Sequence, residues 1–157
     1  MPKSKSSLQE EIRQGKPFRS LGQEAALALF RTADVIRRRF SSEVERHGVT
    51  LQQYNVLRIL RGSPDGLNTL AIADRMVERA PGITRMIDRL ERKGWVTRTR
   101  GTADRRCVSV RITQPGLELL AGLDDVVNQV DADAVQKLSS AEAEQLIGLL
   151  ERMRGVR

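Results

Sequence analysis

Apolar residues recur at helical spacing early in the chain and predict a long amphipathic helix over residues 21–46. Its apolar stripe is formed by Leu29, Ala33, Ile36 and Phe40. Gly48 follows the stripe as a stop signal. Residues 1–20 carry Lys, Ser, Gln, Pro and Gly with little periodicity, so they predict a flexible arm that leads into this helix.

Polar residues and a proline mark the starts of three shorter helices. Thr50 and Gln53 have the spacing of a capping box, and the helix they open should bury Leu51, Tyr54, Leu57 and Leu60. Asn68 is the expected N-cap of a two-turn helix that carries Leu70, Ala71 and Met76. Pro81 is expected in the first turn of the third helix, because its missing N–H would have no partner there. This helix should end at Gly94 and bury Ile83, Met86, Ile87 and Leu90.

The hydrophobic period then changes from that of a helix to that of a strand. Residues 95–100 and 107–112 read as two strands joined by a hairpin loop, and the second strand places Val108, Val110 and Ile112 on one face. Thr113 begins a long helix, and a second capping box at Ser139 begins the last one. Two short helices followed by a β-hairpin form the order of a winged helix-turn-helix.

Charge is concentrated in the segment that contains this hairpin. The chain has a net charge of +7. Residues 75–111 hold 11 basic and four acidic residues, whereas the rest of the chain holds 16 of each, so the entire excess lies in this segment. A solvated basic face is the alternative interpretation, but a concentration this complete favours a polyanionic partner such as nucleic acid.

The helix predicted after Pro81 has a polar outward face. At 100° per residue, this face holds Pro81, Thr84, Arg85 and Asp88, with Arg89 on its flank. Its first half could enter the major groove, where Arg pairs with guanine and Thr contacts a phosphate or a base edge. Taken alone, such a helix more often presents solvated charges, and the hairpin that follows it shifts the balance toward DNA.

The hairpin carries five arginines, namely Arg98, Arg100, Arg105, Arg106 and Arg111. An arginine at a hairpin tip can enter the minor groove, whose narrow stretches concentrate negative potential. Asp104 is the acidic exception among these basic residues, since its carboxylate should be repelled by a DNA phosphate. We expect Asp104 to hold an arginine in place through a bidentate pair, the alternative being that it only favours the turn.

These residues resemble the MarR family of winged helix-turn-helix regulators. The wing and its exit read Trp95-Val-Thr-Arg98, then Asp104-Arg105-Arg106, then Ile112-Thr113-Gln-Pro-Gly116. The preceding helix and turn read Ile83-Thr84-Arg85-Met-Ile-Asp88-Arg89-Leu90-Glu-Arg-Lys-Gly94. The resemblance extends over roughly residues 21–153, and its specific motifs lie in residues 70–116.

The resemblance implies a mostly α-helical fold with a small β-wing, in which a winged helix-turn-helix is joined to a helical dimerisation region. Residues 1–20 would be the arm, 21–48 the first dimerisation helix, 49–113 the DNA-binding domain and 114–157 the C-terminal dimerisation helices. Such a chain would bind a pseudo-palindromic operator in double-stranded DNA as a homodimer. It would act as a repressor released by a small lipophilic or phenolic effector.

The family motifs also assign residues to parts of the DNA. Thr84 and Arg85 match the major-groove contacts, Arg106 the minor-groove arginine with Asp104 as its partner, and Thr69 a phosphate contact. The complete set of predicted DNA-contacting residues is Thr69, Arg79, Pro81, Thr84, Arg85, Arg89, Arg98, Asp104, Arg105 and Arg106.

Other classes of protein fit the sequence less well. It has no P-loop, Gly-x-Gly-x-x-Gly turn, His-Glu-x-x-His helix or Gly-x-Ser-x-Gly elbow, so we do not expect an enzyme. A DNA-coating architectural protein is a further alternative. With one histidine (His47) and one cysteine (Cys107), we expect no metal site, no cofactor and no internal disulfide, and Cys107 is expected to pack rather than to act in redox chemistry. We see no secretory signal or membrane span, and expect a cytoplasmic protein.

Overall fold

The computed structural model describes residues 7–79, 81–100 and 108–155. In these ranges the chain is mostly helical, with one antiparallel sheet of two strands, which confirms the predicted fold class. The elements are α1 (Ser7–Glu11), α2 (Leu21–Glu45), α3 (Leu51–Arg61), α4 (Thr69–Arg75), α5 (Ile83–Arg92), β1 (Val96–Arg100), β2 (Val108–Ile112), α6 (Gln114–Val135) and α7 (Ser140–Met153). No helix in these ranges is long and apolar enough to cross a bilayer.

The chain divides into two compact units, residues 1–39 and residues 40–157. The first unit contains α1, a helix inside the segment that the sequence predicts as a flexible arm. Glu11 at the end of α1 accepts a hydrogen bond of 2.7 Å from Nε of Arg31, which lies 20 residues away on α2. Hydrophobic periodicity cannot reveal such a pairing, and this is why the sequence did not predict α1.

Four predicted helix starts in the second unit, those of α3, α4, α6 and α7, are confirmed by their side-chain caps. Thr50 Oγ1 accepts the N–H of Gln53 at 3.3 Å, and Gln53 Oε1 accepts the N–H of Thr50 at 3.1 Å. Ser139 and Glu142 form the same reciprocal pair. Asn68 Oδ1 accepts the N–H of Ala71 at 2.8 Å. Each cap joins residues three apart, so the local sequence is sufficient to specify it.

The core of the second unit is built around α3. Helices α4, α5 and α6 and both strands each contribute fully buried side chains to it. These side chains are Leu57 and Leu60 from α3, Ile72 from α4, Ile87 and Leu90 from α5, Val96 and Val110 from the strands, and Leu120 and Leu123 from α6. On α4 it is Ile72 that faces this core, whereas Leu70 is 77% exposed. The core thus fixes α5 and the sheet against the same scaffold.

The exit from β2 into α6 requires a residue without a side chain. Thr113 caps α6 by accepting the N–H of Gly116 at 3.3 Å, and it donates its own hydroxyl to the carbonyl of Gly94 at 2.6 Å. These bonds draw the first turn of α6 close to the start of the wing. A Cβ on Gly116 would lie 2.3 Å from the carbonyl oxygen of Trp95, closer than any real contact. The glycine therefore permits the close approach of the helix to the sheet.

Candidate nucleic-acid interface

Helices α4 and α5 form the helix-turn-helix, and the turn between them differs from the prediction. Pro81 lies in the turn before α5 rather than in the first turn of the helix, which begins at Ile83. Gly82 is the N-cap, with a left-handed φ of 81°, and it has no side chain with which to cap the helix. The left-handed conformation favours glycine, so the helix starts one residue after Gly82 and not at the proline.

Helix α5 has the two faces that its periodicity predicts. Ile87 and Leu90 are fully buried. Thr84, Arg85 and Arg89 are exposed, and Arg85 lies opposite Ile87 and Leu90 on the helix. The helix therefore presents a polar, basic surface while its apolar side holds it against the core. The contacts of these three residues with DNA stay a prediction.

The other predicted residues of the helix-turn-helix lie in α4 and in the segment between α4 and α5. Thr69 is the first residue of α4 and is half-buried. Arg79 is exposed in the segment between α4 and α5, and Pro81 is exposed beside it. The contacts of Thr69, Arg79 and Pro81 with DNA stay a prediction.

Arg98 was predicted to contact DNA, but its side chain lies against α5. Its guanidinium donates one hydrogen bond of 2.5 Å to Asp88 Oδ1 and another of 2.6 Å to Glu91 Oε2. The backbone N–H of Arg98 donates to the second oxygen of Glu91 at 3.1 Å. Burial alone would lower the pKa of Arg98, but its hydrogen bonds to Asp88 and Glu91 outweigh that effect and raise the pKa. The guanidinium is held in its charged form.

The register of the sheet explains why Arg98 lies inside. Residues directly opposite each other share a face of a sheet, and Arg98 is opposite Val110, which is fully buried. Its neighbours Thr97 and Thr99 lie on the other face and are exposed. Alternation places Arg98 on the same face as Val96, but Trp95 lies on the other face, so the sequence alone does not decide which face is inside. The sequence does not predict that Glu91 pairs with Arg98, although the spacing of three residues between Asp88 and Glu91 places both carboxylates on one side of α5.

The base of the wing is packed on the core, as predicted for Trp95. Trp95 is partly buried against the core cluster, and Nζ of Lys93 lies 4.3 Å from its ring centroid. Nζ of Lys93 also donates to the carbonyl of Gly48 at 2.8 Å. The tip of the wing, with the predicted contacts Asp104, Arg105 and Arg106 and with Cys107, lies outside the described residues. Among the described residues, no group of His, Cys, Asp and Glu side chains is arranged to hold a metal ion.

Comparison with known proteins identifies the family. The model of the MarR family matches residues 49–108, the helix-turn-helix and most of the wing. The chain is 43% identical to a MarR transcription factor of known structure from Planctomyces limnophilus, with a TM-score of 0.66, and the match covers 86% of this chain and 98% of that one. The chain belongs to the MarR family. Members of this family are DNA-binding transcriptional regulators and not enzymes.

A curated relative and two further structures extend the comparison. A putative transcriptional regulatory protein for the hcr operon of Thauera aromatica is 36% identical over 106 residues, which are 68% of this chain and 63% of the relative's length. The present chain therefore spans somewhat less than two thirds of the length of that relative. Two further structures share the fold, each with a TM-score of 0.74. The S. aureus MepR–DNA complex is 24% identical, and the match covers 83% of this chain and 96% of that one. CouR from Rhodococcus jostii RHA1, bound to p-coumaroyl-CoA, is 20% identical, and the match covers 87% of this chain and 95% of that one.

Proposed function

We propose that this MarR-family protein is a sequence-specific repressor that binds a pseudo-palindromic operator as a homodimer and is released by a small ligand. The observation that carries the proposal is the exposed basic face of α5, where Thr84, Arg85 and Arg89 extend outward from a helix anchored by Ile87 and Leu90. An anchored helix of this kind can enter the major groove without losing its packing.

Sequence readout rests on Arg85 and Thr84. Arg85 is the third residue of α5, and the N-terminal residues of a recognition helix are those that contact base edges. An arginine there pairs with O6 and N7 of guanine, and a threonine contacts a base edge or a phosphate. The DNA in the MepR complex, a structure with the same fold, supports this use of the fold.

Dimerisation is supported by apolar side chains that the described residues leave uncovered. Helix α7 has no buried residue, and it exposes Leu146, Ile147, Leu149 and Met153. Helix α2 exposes Leu21 and Phe30. Exposed apolar surface of this extent marks a site of association in a soluble protein. A second copy of the chain is the partner that the family resemblance implies.

Release by a ligand is supported by the family resemblance and by the p-coumaroyl-CoA bound to CouR, a structure with the same fold. An aromatic acid or its thioester is therefore the first class of effector to test. A ligand can release a repressor only if it binds the DNA-free conformation more tightly than the DNA-bound one. The effector should thus weaken DNA binding and, reciprocally, be bound more weakly in the presence of operator.

Footprinting on the DNA that flanks its own gene tests the proposed function. The purified protein should protect one short, two-fold symmetric site, and excess scrambled duplex should not compete for it. Equal competition by scrambled DNA would favour a DNA-coating architectural protein instead. Aromatic acids that raise the melting temperature of the protein are then added to the footprinting reaction, and the effector is the compound that abolishes protection.

A further inference from the structure

We propose that Arg98 is a positioning residue for DNA recognition: it offsets part of the negative charge of Asp88 and Glu91 on the recognition helix and fixes the wing to that helix, without contacting DNA itself. The inference rests on the proposed function, because α5 must face DNA for its carboxylates to matter. It assigns to Arg98 and Glu91 a role that differs from the direct DNA contact expected from the sequence.

The guanidinium of Arg98 forms hydrogen bonds with two carboxylates of one helix. Nη2 of Arg98 donates to Asp88 at 2.5 Å and Nη1 donates to Glu91 at 2.6 Å. The side chain of Arg98 is 26% exposed, less than those of Asp88 and Glu91 at 46% and 37%. The two carboxylates together carry more charge than the guanidinium they pair with, so the cluster as a whole does not attract a phosphate.

The positive charge of Arg98 matters because of where the carboxylates of Asp88 and Glu91 lie on α5. Asp88 lies one turn after Arg85 and directly before Arg89, the exposed residues expected to contact DNA. An unpaired carboxylate at this place would face the phosphate backbone, and like charges brought together at an interface are strongly unfavourable. Arg98 supplies the opposite charge from the neighbouring strand, so Asp88 and Glu91 can remain on the recognition helix.

The same bonds set the angle between the wing and the helix. Glu91 accepts from both the side chain and the backbone N–H of Arg98, so the start of β1 is tied to the last turns of α5. The opposite strand is held in turn, since Arg98 is paired with Val110 in the core. A change at Arg98 should therefore alter how the helix and the wing contact DNA together.

The test uses the intact protein and a duplex of about 30 bp, roughly three helical turns, selected by the wild type from a randomised pool. Four proteins are compared: wild type, Arg98→Gln, the triple variant Arg98→Gln/Asp88→Asn/Glu91→Gln, and the control Arg61→Gln. Nη1 of Arg61 donates to both carboxylate oxygens of Asp124, at 2.8 and 2.9 Å, and this pair joins α3 to α6, away from the recognition helix. The readouts are the dissociation constant as a function of salt and the melting temperature.

We expect Arg98→Gln to weaken binding by about tenfold or more, because it exposes two carboxylates to the DNA. The triple variant should recover affinity to within about threefold of wild type, since it removes these charges as well. The slope of log K against log salt should not fall in Arg98→Gln, because no phosphate contact is lost. Arg61→Gln should lower the melting temperature but leave binding nearly unchanged.

Three results would overturn the inference. A salt slope lower by about 0.9 in Arg98→Gln, with no recovery in the triple variant, would make Arg98 a phosphate contact. If Arg61→Gln lost as much affinity for DNA as Arg98→Gln, the loss in Arg98→Gln would be explained by lower stability of the protein. If Arg98→Gln does not fold, guanidinium NMR of the wild type decides: its Arg98 signals should be unchanged by DNA, and a coupling to phosphorus would contradict the proposal. If the wild type selects no duplex, the proposed function itself fails.

Discussion

Replacing Gly116 with alanine should destabilise the protein, although alanine is the better helix former. Gly116 lies in the first turn of α6, where an added Cβ would meet the carbonyl oxygen of Trp95 at 2.3 Å and Cγ1 of Ile112 at 2.8 Å. Ordinary contacts of a Cβ begin at 3.4 Å, so the helix and the strand must separate by about 1 Å. The carbonyl cannot move without cost, because it accepts the N–H of Thr113 at 3.0 Å.

The magnitude follows from three contributions. Overpacking in a closely packed region costs about 1–3 kcal/mol. Weakening the hydrogen bond between Trp95 and Thr113 costs about 0.5–1.5 kcal/mol. The better helix propensity of alanine returns about 0.5–1 kcal/mol. The free energy of unfolding should therefore fall by about 0.5–4 kcal/mol, which in a chain of this size lowers the melting temperature by about 2–4 °C per kcal/mol.

Gly122→Ala is the matched control, because it makes the same change in the same helix at a position where nothing lies within 4 Å of the added Cβ. This variant should be more stable than wild type by about 0.5–1 kcal/mol. Urea denaturation at one fixed protomer concentration measures both values, since association would otherwise shift the midpoints. A Gly116→Ala variant as stable as Gly122→Ala would refute the close approach of α6 to the wing.

Three further predictions concern DNA and assembly. Arg85→Ala should lose about 1–3 kcal/mol of operator binding and flatten the base preference at one position, which selection from a randomised pool would reveal; unchanged preference would exclude Arg85 from base readout. Ile147→Glu, at a side chain that is 57% exposed on α7, should convert a dimer into a monomer in sedimentation at micromolar concentration, and a wild type already monomeric there would contradict the proposed homodimer. Inserting about half a helical turn between the two half-sites, whose centres should lie about 10–10.5 bp apart, should abolish tight binding; unchanged affinity would exclude readout by a symmetric dimer.

Much of the candidate interface was predictable because its elements are specified by neighbouring residues. The outward face of α5, with Thr84, Arg85 and Arg89, follows from helical periodicity in the sequence. The order of two short helices and a basic hairpin follows from the change of period after Gly94. Neither inference requires knowledge of how distant segments pack, and the exposed and buried positions of α5 agree with it.

The features that the sequence did not predict depend on backbone conformation or on distant partners. Pro81 fitted the first turn of a helix, but the left-handed conformation of Gly82 places the start of α5 after it. Arg98 was grouped with the other arginines of the hairpin, whereas the pairing of β1 with β2 turns its side chain inward. Composition counts charges, but it cannot show which charges face each other.

The sequence by itself therefore determined the capped starts of α3, α4, α6 and α7, the wing strands and the polar face of α5, since a cap or a periodic stripe is formed by residues three or four apart along the chain. Only the tertiary structure shows that Arg98 is paired with carboxylates of α5 and that a side chain at position 116 would clash with Trp95. Arg98 meets carboxylates seven and ten residues away, and Gly116 meets a carbonyl 21 residues away. Such contacts form only when the core has brought the helix and the sheet together.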